Sequence, residues 1–142
     1  MKAVSQINQR FSNLGGKSLV VGCSVGKLML EMSKIFDVSE GVDFTSRFFQ
    51  IASRIMEKGF LTYKGKEISI ENDHYDIPKS RLIRMNPVNI HTGKLSKYQL
   101  VIFDGFSLRE NSMKQAIPNF LPFLEGEAYI VIMCASKRNC VS

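Results

Sequence analysis

The sequence predicts an α/β fold built on a mostly parallel sheet, with helices packed on both faces. The first observation is the stretch 18–44, SLVVGCSVGKLMLEMSKIFDVSEGVDF, which reads as strand, glycine turn, helix and second strand. The second is that later apolar runs, each closed by a polar turn, repeat this alternation. The third is that 142 residues with a hydrophobic fraction of 44% suit one domain with a substantial core. We therefore expect a single domain over residues 1–142 with about five strands.

The stretch 18–44 organises the rest of the chain. A short apolar run stops at Gly22, and Gly26 follows at the start of a helical pattern, so residues 22–26 form a predicted glycine turn. The helix is expected to carry Leu28, Met29, Met32, Ile35 and Phe36 on its apolar positions. The second strand ends at Asp43. Because ligands of open α/β sheets bind beyond the carboxyl ends of the strands, the glycine turn and Asp43 are candidate binding residues.

Two helices and a hairpin are predicted around this unit in the first half of the chain. Residues 3–11 carry apolar side chains at helical spacing and precede two glycines, which favour a helix end. Thr45 is a suitable N-cap for a second helix, whose apolar stripe runs to Gly59. Residues 60–80 then alternate around Lys64-Gly65-Lys66, which predicts a hairpin-like insertion in the α/β pattern.

The second half of the chain resumes the alternation. Residues 81–85 predict a third strand, and residues 98–103 a fourth, buried strand that ends at Asp104. A helix capped by Asn111 or Ser112 follows, and its prolines are expected to bend or shorten it. Residues 128–135 predict the fifth strand.

Composition excludes several classes of protein. The formal charge of +6 is spread along the chain, which favours a basic surface over a nucleic-acid groove. No apolar run reaches the roughly 18 residues of a membrane span, and the first residues lack the apolar core of a signal peptide. We therefore expect a soluble cytoplasmic protein. The three cysteines show neither CxxC spacing nor a nearby histidine, so no metal site is expected.

The predicted ligand edge suits a nucleoside-bearing cofactor, because Asp43 can accept hydrogen bonds from ribose hydroxyls. The dinucleotide fingerprint G-x-G-x-x-G grips a pyrophosphate with backbone amides. Here the turn reads GCSVG, so Ser24 stands where the fingerprint has its middle glycine. The pattern therefore argues against NAD and FAD.

The run from GCSVG to GVDFT resembles the first cofactor motif and the adjoining acidic strand of class I S-adenosylmethionine-dependent methyltransferases. Within that superfamily, GCSVG, GVDFT, MEKGFLTY and IPKSRLIR are similar to the mercaptohistidine N-methyltransferase part of ovothiol synthase. The resemblance implies a Rossmann-like sheet, S-adenosylmethionine as cofactor and a small thiol-imidazole as methyl acceptor, hence a role in ovothiol biosynthesis. It covers residues 19–135.

The resemblance also implies roles for individual residues. Asp43 would hold the ribose, Phe44 would flank the adenine, and Asn86 would lie beside the adenine. Asp104 would act as a base or orient the acceptor, and is the one catalytic residue implied. The residues implied to line the methionine side of the cofactor are Gly22, Cys23, Ser24 and Gly26.

Three departures from the family pattern keep an alternative open. Val20 and Asn86 stand where the superfamily usually has acidic residues, and DGFSL replaces an asparagine-containing run after the fourth strand. The sequence also stops after the fifth predicted strand, where the family sheet continues into an antiparallel strand pair. The chain is then either a truncated enzyme or a degenerate relative that binds without catalysis. A second copy or a partner chain would cover the exposed sheet edge.

Overall fold

The computed structural model describes residues 2–11, 15–24, 26–63, 65–69 and 79–134. The helices in these ranges are α1 Lys2–Phe11, α2 Lys27–Met32, α3 Ser46–Lys58 and α4 Glu110–Phe120. The strands are β1 Lys17–Val21, β2 Val38–Asp43, β3 Phe60–Tyr63, β4 Lys66–Ser69, β5 Ser80–Arg84, β6 Tyr98–Asp104 and β7 Leu124–Met133.

Five of these strands form one parallel sheet in the order β5-β2-β1-β6-β7. The other two, β3 and β4, form a separate antiparallel hairpin. The predicted α/β fold is therefore confirmed over the described residues. The hairpin of β3 and β4 falls within the predicted insertion 60–80, of which residues 64 and 70–78 lie outside the described residues. The order in which the chain adds strands to the sheet reverses at β1. From β1 the chain continues to β2 on one side, and it later adds β6 on the other side. In such sheets a ligand crevice opens at the carboxyl end of the strand where the order reverses.

The apolar residues of β1 explain why it lies in the middle of the sheet. Leu19, Val20 and Val21 are fully buried, and successive side chains point to opposite faces. Val20 packs with the core formed by α1 and α2, whereas Leu19 and Val21 pack with the core formed by α4. Burying one such side chain contributes roughly 1.5–3 kcal/mol to folding. Helices therefore cover both faces of the sheet, as predicted.

The buried carboxylate of Glu40 joins three strands at a distance from their carboxyl ends. Glu40 of β2 is 2% exposed, and its carboxylate pairs with Arg81 of β5. The Tyr98 hydroxyl, from β6, donates to Glu40 Oε1 at 2.8 Å and accepts the Ser96 amide at 3.1 Å. Burial raises the pKa of Tyr98 above its ordinary value, so the phenol keeps the proton that it donates. This group stabilises strand neighbours and lies away from the strands' carboxyl ends.

The helix after the glycine turn is shorter than predicted. It ends at Met32, so the prediction that Ile35 and Phe36 belong to it is wrong. The Ser33 hydroxyl donates to the carbonyl of Leu30, which satisfies a helix-end carbonyl without a further turn. Phe36 is still only 2% exposed, so its apolar character reflects burial in a turn.

The boundaries of α4 also differ from the prediction. Arg109 occupies the N-cap position and the helix begins at Glu110, so neither Asn111 nor Ser112 caps it. Pro118 lies inside α4 without ending it, and a 3₁₀ turn over Leu121–Phe123 follows.

The last strand begins earlier than predicted, at Leu124 instead of Ala128. Its polar start follows from its place at the edge of the described sheet, where few side chains are buried. Ile130 is 37% exposed on this strand. Coverage of the edge by another chain stays a prediction. None of the helices in the described ranges is long and apolar enough to cross a membrane.

Candidate functional site

The carboxyl ends of three adjacent strands bring the predicted site residues together. Val21, the last residue of β1, pairs with Val42 of β2 and with Phe103 of β6. The glycine turn that follows β1 therefore begins between Asp43 and Asp104, the last residues of β2 and β6. This common edge is where the sequence predicted a ligand site.

Backbone hydrogen bonds fix the glycine turn against β2. The amides of Gly22 and Cys23 both donate to the carbonyl of Val42, at 2.8 and 3.1 Å, and Gly26 N donates to the Cys23 carbonyl at 2.8 Å. Gly22 has φ of 81° and Gly26 has φ of 91°, values that a side chain disfavours. The two glycines are thus required by the path of the chain.

Asp43 is a structural part of the same turn. Its Oδ2 accepts the Ser24 amide at 2.8 Å, and its Oδ1 accepts the Thr45 amide at 3.0 Å. Ser24 has φ of 53°, in the left-handed region, which costs roughly 1–2 kcal/mol outside glycine. The bond to Asp43 offsets that strain. Because a carboxylate has about four acceptor positions, two amides leave room for ligand hydroxyls.

The described residues of the glycine turn have few free hydrogen-bond donors for a ligand, whereas the carboxylates beside the turn are hydrogen-bond acceptors. Each amide of residues 22, 23, 24 and 26 already donates to an oxygen of the protein itself. A pyrophosphate needs free amides to bind it, so this arrangement does not suit a dinucleotide. The half-buried carboxylates at the neighbouring strand ends instead favour hydroxyls, ammonium groups or another cation.

The Cys23 side chain points into the core. It is 4% exposed, and its Sγ would lie 2.9 Å from a Cβ at Gly41 of β2. The glycine in β2 therefore makes room for this thiol. Burial, together with the nearby charges of Asp43 and Asp104, raises the pKa of Cys23 to about 12. In the role beside a cofactor that the resemblance implies, Cys23 would therefore contact the cofactor through its backbone and not through its thiol.

We expect Cys23 in the native protein to resist alkylation by iodoacetamide at pH 8, because its thiol is buried and protonated. The folded protein holds the thiol proton more tightly than the unfolded chain does. The resulting contribution to stability is fully present below the unfolded pKa of about 8.5, and it is lost as the pH rises toward 12. Peptide mass mapping would give the modification rate of Cys23 in native and urea-unfolded protein. Equal rates in the two states would contradict the buried position.

Asp104 begins a tight turn on the other side of the site. Its Oδ1 accepts the Phe106 amide at 2.9 Å, and its side chain is half-buried. Burial raises the pKa of Asp104; hydrogen bonds from the Phe106 amide and the Ser107 hydroxyl oppose the rise, and the nearby Asp43 charge adds to it. A carboxylate with a raised pKa is a better proton acceptor, as the predicted catalytic role requires.

Phe44 and Asn86 lie on the β2 side of the edge. Phe44 is 59% exposed directly after Asp43. Met85 N donates to the Asp43 carbonyl at 3.0 Å, which places Asn86 one residue beyond that contact. The Asn86 Oδ1 accepts the Val88 amide at 3.0 Å, so the side chain stabilises its own turn. Its contact with an adenine stays a prediction.

Leu108, the last residue of the DGFSL run, makes a contact in the site that was not predicted from the sequence. A Cβ at Gly22 would lie 2.7 Å from Leu108 Cγ, so the leucine packs on the bare backbone of the glycine turn. This contact joins the turn after β1 to the turn after β6. The only signal in the sequence is an apolar residue in a polar loop. Val20, the other departure in this region, is fully buried and lies in the core.

No group of three or more potential metal ligands occurs within the described residues. No protein-family model matches the sequence, and no curated protein matches it. Solved structures do match. The structure of the glycopeptide N-methyltransferase MtfA with S-adenosylmethionine has a TM-score of 0.68 and 10% identity, covering 92% of this chain and 52% of that one.

Two further neighbours agree. A TehB-like methyltransferase from Corynebacterium glutamicum gives a TM-score of 0.65 at 19% identity, covering 98% of this chain and 65% of that chain. A putative caffeoyl-CoA O-methyltransferase from Staphylococcus aureus gives 0.68 at 14% identity, covering 93% and 56%. The chain therefore has the Rossmann-like fold of S-adenosylmethionine-dependent methyltransferases, and spans about half to two thirds of these neighbours. Nothing among them points to ovothiol synthase.

Proposed function

We propose that the chain binds S-adenosylmethionine at the carboxyl ends of β1 and β2 and transfers its methyl group to a small molecule. The observation that carries this proposal is the hydrogen bonding of the glycine turn and of Asp43. Its described amides are all bonded within the protein, while Asp43 keeps free acceptor positions. A cofactor with ribose hydroxyls and positive charge, and without phosphates, suits such a site. Neighbours crystallised with S-adenosylmethionine or its analogues support the same assignment.

In this proposal Asp43 accepts hydrogen bonds from the ribose, and exposed Phe44 lies against the adenine. Gly22, Ser24 and Gly26 present backbone to the methionine part. The cofactor supplies an activated methyl group on a sulfonium. Catalysis then consists mainly of holding the acceptor atom in line with that methyl, with a base where the acceptor carries a proton. In this proposal Asp104, which ends β6, takes that proton.

The proposed acceptor is a small thiol-imidazole of the mercaptohistidine type, a choice that rests on the resemblance of the sequence motifs. An imidazole nitrogen is nucleophilic once it has lost its proton, which fits a half-buried carboxylate with a raised pKa. The site has no requirement for a metal ion in this chemistry.

Calorimetric titration tests the cofactor assignment. We expect S-adenosylhomocysteine and S-adenosylmethionine to bind and to raise the Tm, since a ligand of the native state stabilises it. NAD and ATP are the controls and should give no heat, because the amides of residues 22–24 and 26, the described part of the turn, are already bonded within the protein and not free for phosphates. Equal binding of ATP would contradict the site as described. No heat and no Tm shift with millimolar S-adenosylhomocysteine would leave the alternative, a binding module without catalysis.

A further inference from the structure

The two edge strands of the parallel sheet differ in length and in charge. β5 has five residues, and two of them, Arg81 and Arg84, are exposed. β7 has ten residues and carries no charge from residue 128 to its end at residue 133. Short length and charged side chains protect an edge strand from pairing with another chain. β5 is therefore a protected edge of the sheet, whereas β7 is not.

The second half of β7 has the sequence of an interior strand. Residues 128–133 read AYIVIM, a continuous apolar run that is typical of parallel strands covered on both faces. Within the described ranges, however, β7 pairs only with β6. Tyr129 is 44% exposed and Ile130 is 37% exposed. Since successive residues of a strand point to opposite faces, apolar surface is uncovered on both faces of β7.

The backbone of β7 directs hydrogen-bonding groups away from β6. The Met133 carbonyl accepts the Gly105 amide at 2.7 Å, so residue 133 directs its backbone groups toward the β6 side. Because these groups alternate in direction along a strand, Ile130 and Ile132 direct theirs to the outer edge. These are the groups to which an added strand bonds.

The charges at the two ends of this region fit a second copy of the same strand. Glu125 and Glu127 are exposed at the start of β7. The sequence continues after β7 to Lys137 and Arg138, which lie outside the described residues. An antiparallel pair of β7 strands brings the acidic start of each copy toward the basic residues that follow the strand in the other. A parallel pair would bring like charges together, which is unfavourable.

The apolar residues fit the same antiparallel arrangement. With Val131 on the two-fold axis, Tyr129 lies opposite Met133 of the second copy, and Ile130 lies opposite Ile132. Residues directly opposite each other share a face of the sheet, so each contact covers apolar surface that is exposed in one copy. A two-fold axis also closes the contact, so the assembly stops at two copies.

We propose that the outer edge of β7 is a dimer interface, at which two copies pair their β7 strands antiparallel and join their five-stranded sheets into one. The second copy supplies both the apolar strand and the basic residues that the acidic start of β7 requires. The contact lies at the sheet edge, whereas the proposed cofactor site lies at the ends of β1 and β2. The proposal is therefore independent of cofactor binding.

Sedimentation equilibrium of the full chain over a range of concentrations tests this pairing. We expect the wild type to show a monomer–dimer equilibrium. Glu125→Lys/Glu127→Lys should weaken dimerisation roughly tenfold, and so should Lys137→Glu/Arg138→Glu, because like charges then meet at both ends of the pair. An equimolar mixture of the two variants should form heterodimers, because opposite charges meet again.

The matched control is Glu57→Lys/Glu110→Lys. Both residues are exposed, on α3 and α4, and the change in net charge equals that of the first variant. The control should dimerise as the wild type does. Equal weakening in the control would trace the effect to net charge and would overturn the contact at β7.

Hydrogen exchange of the wild type tests the same edge without a substitution. The amides of Ile130 and Ile132 should exchange more slowly in concentrated than in dilute protein, because they become bonded in the dimer. A wild type that stays monomeric into the millimolar range overturns the proposal and leaves the edge to a different chain. Dimers with no change in exchange at these amides, or variants that fail to associate when mixed, also overturn it. Recovery of dimers in the mixture supports it.

Discussion

Replacing Gly105 with alanine is expected to lower the free energy of unfolding by about 3 kcal/mol, at the upper end of the cost of overpacking. A Cβ at this position would lie 2.1 Å from the backbone carbonyl oxygen of Met133. A backbone carbonyl paired in a sheet cannot move aside as a flexible side chain can. The substitution would therefore separate the ends of β6 and β7, next to Asp104.

Gly93→Ala is the matched control for this prediction. Gly93 is exposed, and a Cβ built there meets no atom within 4 Å. Urea denaturation of both variants should show a loss for Gly105→Ala and a change within about 0.5 kcal/mol for Gly93→Ala. Similar stabilities of the two variants would mean that β6 and β7 do not approach as closely as described.

Replacing Asp43 with alanine is expected to weaken S-adenosylhomocysteine binding about 30-fold. Hydrogen bonds to a charged group contribute roughly 1.5–3 kcal/mol, and about 2 kcal/mol corresponds to this factor. The same change removes the acceptor of the Ser24 and Thr45 amides, so the glycine turn loses its support. Asp43→Asn keeps one acceptor oxygen and should fall between the wild type and Asp43→Ala.

The control for this variant is Asp37→Ala. Asp37 is also a carboxylate that accepts a backbone amide, from Gly16 at 3.0 Å, but it precedes β2 at the opposite edge of the sheet. Thermal melts would show whether the two variants lose similar stability, and calorimetry would give their dissociation constants. Equal loss of affinity in both would trace the effect to stability and contradict the placement of the ribose on Asp43.

The strands and helices with a continuous local sequence pattern were predictable. Apolar runs that end in glycine or aspartate predicted β1 and β6, because buried parallel strands need continuous apolar residues. The helix after the glycine turn was overextended, since the buried residue Phe36 follows helical spacing while lying in a turn. The start of β7 was missed, because an edge strand pairs on one side and tolerates polar residues.

The candidate site was predictable in outline and not in detail. The positions of Asp43 and Asp104 follow from where their strands end, which sequence patterns show. The bond from the Ser24 amide to Asp43 depends on the register between β1 and β2, which no local pattern specifies. The contact of Leu108 with Gly22 joins residues far apart in the chain, and the absence of a side chain at Gly22 gives no indication of what fills the space.

The proposed cofactor site requires a nucleoside to lie across the ends of β1 and β2. Amide chemical shifts of ¹⁵N-labelled protein, recorded as S-adenosylhomocysteine is added, test this directly. The largest changes should fall on Ser24 and Thr45, whose amides bond to Asp43, with no change at Gly16 on the opposite edge. Saturable shifts centred elsewhere, with Ser24 and Thr45 unmoved, would contradict the account.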